Sequence, residues 1–205
     1  MLGGKKKKTH RNGSSSEEAY KLLQMRLESA TQLGFLKVIS FTSVEQCEEK
    51  WAYVSSIAKI IAREGRKILV VDCNIDNFRI KKYFGMELEG ILDELIQHNG
   101  KNIFEASGTP NLHFIPKGLG LSDLDGNLDF EKIVKLIEKA REEYDLILID
   151  SPPAGIMTEG VRLSMVADGT VIIVLSDITK KQSAKRTKVI LDSVNANLLG
   201  VILGV

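Results

Sequence analysis

A chain of 205 residues, 43% hydrophobic and 27% charged, holds enough apolar material for one sizeable core. Its formal net charge of +1 excludes a global electrostatic pull toward nucleic acid or acidic partners. No apolar run reaches the roughly 20 residues that cross a bilayer, and no signal-peptide core is present. Cys47 and Cys73 stand far apart and in no metal-ligand spacing, which points to a reduced, cytoplasmic setting.

Residues 1–16 contain Lys5, Lys6, Lys7 and Lys8, then His10, Arg11 and a Gly/Ser run. They have nothing to bury and are expected to form a disordered basic tail, either solvated or in contact with anionic lipid. Residues 17–205 are expected to be a single domain. Its first helix is predicted over 17–33: Ser16 can cap it, Glu17 and Glu18 occupy the first turn, and Leu22, Met25 and Leu33 recur at helical spacing. Strands follow at 37–42, 67–72, 111–116, 145–150, 170–176 and 200–203. Helices are predicted at 50–64, 88–98, 129–143, 159–166 and 181–194. The runs ILVVD, LILID and TVIIVL are nearly continuous in apolar residues, as strands of a parallel sheet covered on both faces are. The fold class is α/β: a doubly wound, mostly parallel sheet with helices on both faces, whose ligands sit at the carboxyl ends of strands.

The stretch KVISFTSVEQCEEK, residues 37–50, reads as a strand, a polar loop and the start of a helix that runs to Gly65. That is the frame of a phosphate-binding loop, with Ser43 and Lys50 as its candidate ligand residues. Two further strands end on aspartate, Asp72 and Asp150, where a carboxylate can hold a magnesium ion's water shell or position an attacking water. The cradle itself is altered. Phosphate loops use glycine so that the backbone can approach phosphate oxygens, and here Cys47 and Glu49 carry side chains. Glu49 also sets a negative charge beside Lys50, and like charges about 4 Å apart repel by ~1 kcal/mol in water. Trp51 removes the hydroxyl that would ligate magnesium and puts an indole there.

Other polar clusters read more plainly. Glu45, Glu48 and Glu49 are loop carboxylates without a histidine partner and are taken as solvated. His10, His98 and His113 have no companion at ligand spacing. Lys180, Lys181, Lys185, Arg186 and Lys188 share one helix, read as a solvated face rather than a nucleic-acid or partner patch.

From about residue 16 to 204 the chain resembles the bacterial tyrosine kinases (BY-kinases) of capsule and exopolysaccharide assembly, within the MinD/ParA-like P-loop ATPases. Glu18-Ala19-Tyr20-Lys21-Leu22-Leu23 is similar to the family's oligomerisation helix. Phe41-Thr42-Ser43 with Lys50 fits its phosphate-loop frame, and ILVVDCN at 68–74 its second aspartate motif. Ser107-Gly108-Thr109-Pro110-Asn111-Leu112 is similar to the approach to its middle strand. YDLILIDSPP at 144–153 is close to its Walker B segment, and Ala167-Asp168-Gly169-Thr170 to the start of the strand after it. The resemblance implies a P-loop NTPase-like fold that binds ATP and magnesium, with Lys50 and Ser43 on the phosphates and Asp72 and Asp150 on the metal and the chemistry. The chain departs from that pattern at Gln24, Gln46-Cys47, Glu49, Trp51-Ala52, Asn74 and Gly204. It also lacks, up to Val205, the tyrosine-rich tail that these kinases phosphorylate.

The expectation is therefore a catalytically degenerate, pseudokinase-like homologue with no bound cofactor or metal. Its role would be that of a regulatory or interaction subunit. Its partners would be a membrane-embedded modulator protein or an active kinase paralogue, in homo- or hetero-oligomers at the inner face of the membrane, and not nucleic acid. Two alternatives stay open: an active ATP-dependent tyrosine autokinase using Lys50, Asp72 and Asp150, and a MinD/ParA-like nucleotide-dependent positioning factor.

Overall fold

The computed structural model describes residues 36–74, 104–105, 109–115 and 128–204, with the helical positions Met25 and Ser29. In chain order the elements are β1 (Val38–Ser43), α1 (Lys50–Arg63), β2 (Ile68–Asp72), β3 (Phe104–Glu105) and β4 (Leu112–Ile115). There follow α2 (Phe130–Glu143), β5 (Leu146–Asp150), α3 (Thr158–Val166), β6 (Gly169–Leu175), α4 (Lys181–Ser193) and β7 (Leu198–Gly204). They build one seven-stranded sheet in the order β3-β4-β2-β5-β1-β6-β7. Among the described residues six strands run parallel, and only β3 pairs antiparallel, with β4.

The sequence pattern explains the layering. Every residue of β1, β2 and β5 is buried, which is why their apolar runs barely alternate. On one face α1 presents Trp51, Val54, Ile57, Ala58 and Ile61 at helical spacing and packs them on Ile39, Phe41, Val70, Phe114 and Leu148. On the other face Ile133, Ile137 and Ala140 of α2 and Leu163 of α3 cover Val38, Leu69, Val71, Ile147 and Ile149. Leu191 of α4 closes a third cluster with Val44, Ala154 and Ile172. Asp129 caps α2 by accepting the Lys132 backbone N–H at 3.2 Å. Gly65 takes φ 92° just after α1, a conformation that side chains resist.

The end of the sheet away from the carboxyl edges is tied by Asp168. Its Oδ2 accepts the backbone N–H groups of Lys37 and Val38, each at 2.7 Å. Arg141 grips both carboxylate oxygens, at 2.8 and 2.7 Å, and Asn197 donates to the Asp168 carbonyl at 2.7 Å. One residue thus joins β1 and the end of α2 through its carboxylate and the approach to β7 through its carbonyl. Burial alone would raise its pKa, but the Arg141 bonds and the two backbone donors outweigh burial and hold it below the ordinary range.

The six expected strands and four of the expected helices are present, with ends shifted by one or two residues. β7 is longer than expected, beginning at Leu198. β3 was not foreseen, since two residues are too few to carry a periodic signal. The expected helix at 88–98, the tail with Lys5, Lys6, Lys7 and Lys8, and all of the first helix but positions 25 and 29 lie outside the described residues.

Candidate functional site

Three strand ends converge at the carboxyl edge of the sheet. β1 closes at Ser43, β2 at Asp72 and β5 at Asp150. Asp72 and Asp150 are register partners on adjacent strands, so parallel pairing sets the two carboxylates side by side. The Asp72 Oδ1 accepts the Asn74 backbone N–H at 2.9 Å, a local turn in which Asn74 contributes its main chain.

Lys50, the first residue of α1, reaches this edge. Its ammonium donates to Asp150 Oδ1 and to the Ser151 carbonyl, and the two charged side chains are only 1% and 3% exposed. A buried pair of this kind is sustained by mutual attraction plus further hydrogen bonds that replace lost water. The structure thus joins Lys50 and Asp150 directly, with Asp72 beside them. Ser43 stands apart in role: its hydroxyl donates to the Glu45 carbonyl at 2.7 Å and shapes the turn that leaves β1.

The loop from Val44 to Glu49 is built by its own side chains. Glu49 occupies the N-cap of α1 with helical dihedrals and without a side-chain cap bond. Its carboxylate instead accepts the Cys47 thiol, Sγ to Oε2 3.7 Å. Burial pushes the Cys47 pKa up, the Lys50 backbone N–H opposes that, and the neighbouring Glu49 charge adds to it. Cys47 is therefore a protonated, poorly nucleophilic thiol. Cys47 and Cys73 are both buried thiols outside any disulfide. Tyr53, one turn into α1, is likewise raised, chiefly by burial and then by Cys47 and Glu49.

Two expectations are corrected here. The Trp51 indole does not stand in the site. It is 1% exposed and packs edge-on against Phe114 in the core, with ring centroids 5.3 Å apart. Position 51 leads off the apolar stripe of α1, so the largest side chain of the loop turns under the sheet. Glu45 is not a simple solvated carboxylate either. It is half-buried, and its Oε2 is shielded with no hydrogen-bond partner among the described residues, whereas Glu48 and Glu49 are exposed as expected.

Sequence reasoning missed the contacts that close the edge. Thr42 Oγ1 donates to the Pro152 carbonyl at 2.7 Å and accepts the Ala154 N–H at 2.9 Å, pinning the loop after β5 to the end of β1. Gly155 lies so close to the loop after β1 that a Cβ there would come within 2.0 Å of the Val44 carbonyl oxygen. A Cβ on Gly204 would come within 2.9 Å of both the Tyr53 hydroxyl and Leu175, so these two side chains already take up that space. Such long-range contacts leave no periodic trace in a sequence. Away from this edge, the His113 Nδ1 lies 2.7 Å from the Tyr144 hydroxyl. Among the described residues no three or more His, Cys, Asp and Glu side chains gather as metal ligands.

Comparison with known proteins places these features. The family model described as an AAA domain matches residues 36–196. The chain is similar to the tyrosine-protein kinase YwqD of Bacillus subtilis, 25% identical over 93% of this chain and 81% of that protein. Its fold is that of the kinase domain of the Escherichia coli tyrosine kinase ETK, with a TM-score of 0.76 at 19% identity over 91% of this chain and 74% of that one. The fold is shared also by the septum site-determining protein MinD of Pyrococcus horikoshii, solved with Mg-ADP. There the TM-score is 0.63 at 19% identity, over 82% of this chain and 69% of that one.

Proposed function

This chain belongs to the AAA domain family and is a homologue of bacterial tyrosine-protein kinases, and from that premise we propose that it is a non-catalytic member. In this reading it serves as a regulatory or interaction subunit in capsule or exopolysaccharide assembly, and its partner is a membrane-embedded modulator or an active kinase of the family.

The observation that carries the reading is the buried pair of Lys50 and Asp150. Phosphoryl transfer in this fold needs a cation on the phosphates and a carboxylate for the metal, and here the two neutralise each other. The surroundings do not fit a magnesium-bound triphosphate. Glu45 and Glu49 bring negative charge to the loop, and Cys47 and Glu49 bring side chains where backbone would have to approach phosphate oxygens. Position 51 offers no hydroxyl. What remains is a folded scaffold suited to binding other proteins.

Two measurements test this. Calorimetric titration of the purified chain with MgATP is expected to give no heat. Addition of the chain to an active kinase of the family, together with its modulator, is expected to change that kinase's autophosphorylation rate. Tight MgATP binding together with phosphotyrosine on the chain itself would make it an active autokinase and sink the reading.

A further inference from the structure

The two long helices on the same face of the sheet carry their charges differently. α2 alternates signs and answers them locally: Lys132 pairs with Asp129, Lys135 with Glu131, and Arg141 with Glu138. Lys180, just before α4, is its N-cap residue without a side-chain cap bond, and the first turn of the helix holds no acidic residue. Lys180, Lys181, Lys185 and Arg186 are all exposed, and among the described residues none of the four has an ion pair. Only Lys188 is answered, by Asp192. Cations in the first turn oppose the helix dipole, so the free chain maintains an unfavourable arrangement that an anionic partner would relieve.

Apolar side chains interleave with these charges. Ile178 precedes the helix, and Val189 lies one turn beyond Lys185 and Arg186 on its exposed side. On edge strand β7, Val201 and Leu203 are register partners of Ile172 and Val174, so they face the α4 side of the sheet. All four are more than half exposed.

We propose that the α4–β7 face docks peripherally on an anionic phospholipid surface. The unanswered charge, from Lys180 to Arg186, occupies the first two turns of the helix, about 9 Å along its axis. Its neighbouring apolar side chains are scattered singly. A lipid surface accepts diffuse charge and scattered apolar groups without matching a fixed shape, and long Lys and Arg stems can lie along it while their heads meet phosphates. The exposed side chains of this face are distinct from Lys50, Asp72 and Asp150, so the inference does not depend on whether the chain is an active enzyme.

The test is co-sedimentation of the full chain with vesicles of phosphatidylcholine alone or mixed with phosphatidylglycerol. Binding is expected only to the mixed vesicles, and to weaken as salt is raised. Each cation near an anionic surface strengthens binding about fivefold, so the triple variant Lys181→Gln/Lys185→Gln/Arg186→Gln is expected to lose about a hundredfold in affinity. Its melting temperature should change little, because the three side chains are exposed and without ion pairs among the described residues. A second variant, Lys180→Gln/Lys181→Gln, is expected to lose about twentyfold. A companion variant replaces Lys5, Lys6, Lys7 and Lys8 by Gln and separates the tail from the helix. The proposal is overturned if the triple variant binds as the parent does, or if only the tail variant loses binding. It is equally overturned if the chain ignores mixed vesicles yet binds an acidic polypeptide such as polyglutamate through α4.

Discussion

Lys50 and Trp51 are neighbours in the chain with different destinations. Lys50 goes to Asp150 at the sheet's edge, and Trp51 goes under the sheet to Phe114. Replacing Lys50 by Met leaves Asp150 buried without its cation, which is expected to cost roughly 3–5 kcal/mol. Adding Asp150→Asn should return part of that loss, so the double variant is less unstable than the sum of the singles. Urea midpoints of the two singles and the double measure this, and strict additivity would mean that the pair does not act as a unit. Trp51→Ala empties a core position and is expected to cost about 3–5 kcal/mol by the same assay. For that reason, restoring the phosphate loop by exchanging Trp51 for Ser would confound binding with stability. Glycines at 47 and 49 are the cleaner change.

At the level of elements, two titrating groups report on how strands and helices are joined. Asp168 has its folded pKa below the ordinary carboxylate value of 3.8, so its contribution is fully present above that value and is lost as pH falls through the folded pKa. Asp168→Asn removes that acid sensitivity and, through the bonds to Arg141 and β1, is expected to cost about 1.5–3 kcal/mol near neutrality. Denaturation at neutral and acidic pH should show the variant and parent converging as pH drops. Tyr144 lies between α2 and β5, and burial, helped by Glu143, pushes its pKa up to about 12. A raised folded value means that its stabilising share is whole below about 10 and is lost as pH rises toward 12. Ultraviolet titration of tyrosinate should find a group titrating near 12 that Tyr144→Phe deletes. An ordinary titration midpoint for Tyr144 would contradict its burial.

At the scale of the molecule, stability should be graded across the sheet. β1 and β5 are central, wholly buried and paired on both sides, while β7 is an edge strand with Val201 and Leu203 open to solvent. Native-state hydrogen exchange is expected to find the slowest amides in β1 and β5 and faster ones in β7. Equal protection across the sheet would contradict that grading.

The alternation of apolar runs and amphipathic stretches was enough to set the α/β class, six of the strands, and the placement of Ser43, Asp72 and Asp150 at one edge. Those are local or periodic properties, and parallel crossovers leave little freedom in how they assemble. The loop's departures at Cys47, Glu49 and Trp51 were equally legible, because residue identity alone removes glycine's backbone freedom and a ligating hydroxyl. What the sequence could not settle was direction. Whether the indole of Trp51 faced the site or the core, whether Lys50 stood open or lay on Asp150, and how Thr42 and Gly155 clamp the loop after β5 depend on residues far apart in the sequence. Those choices are made by packing and by the need to satisfy buried charge, and only the assembled sheet brings the partners within reach.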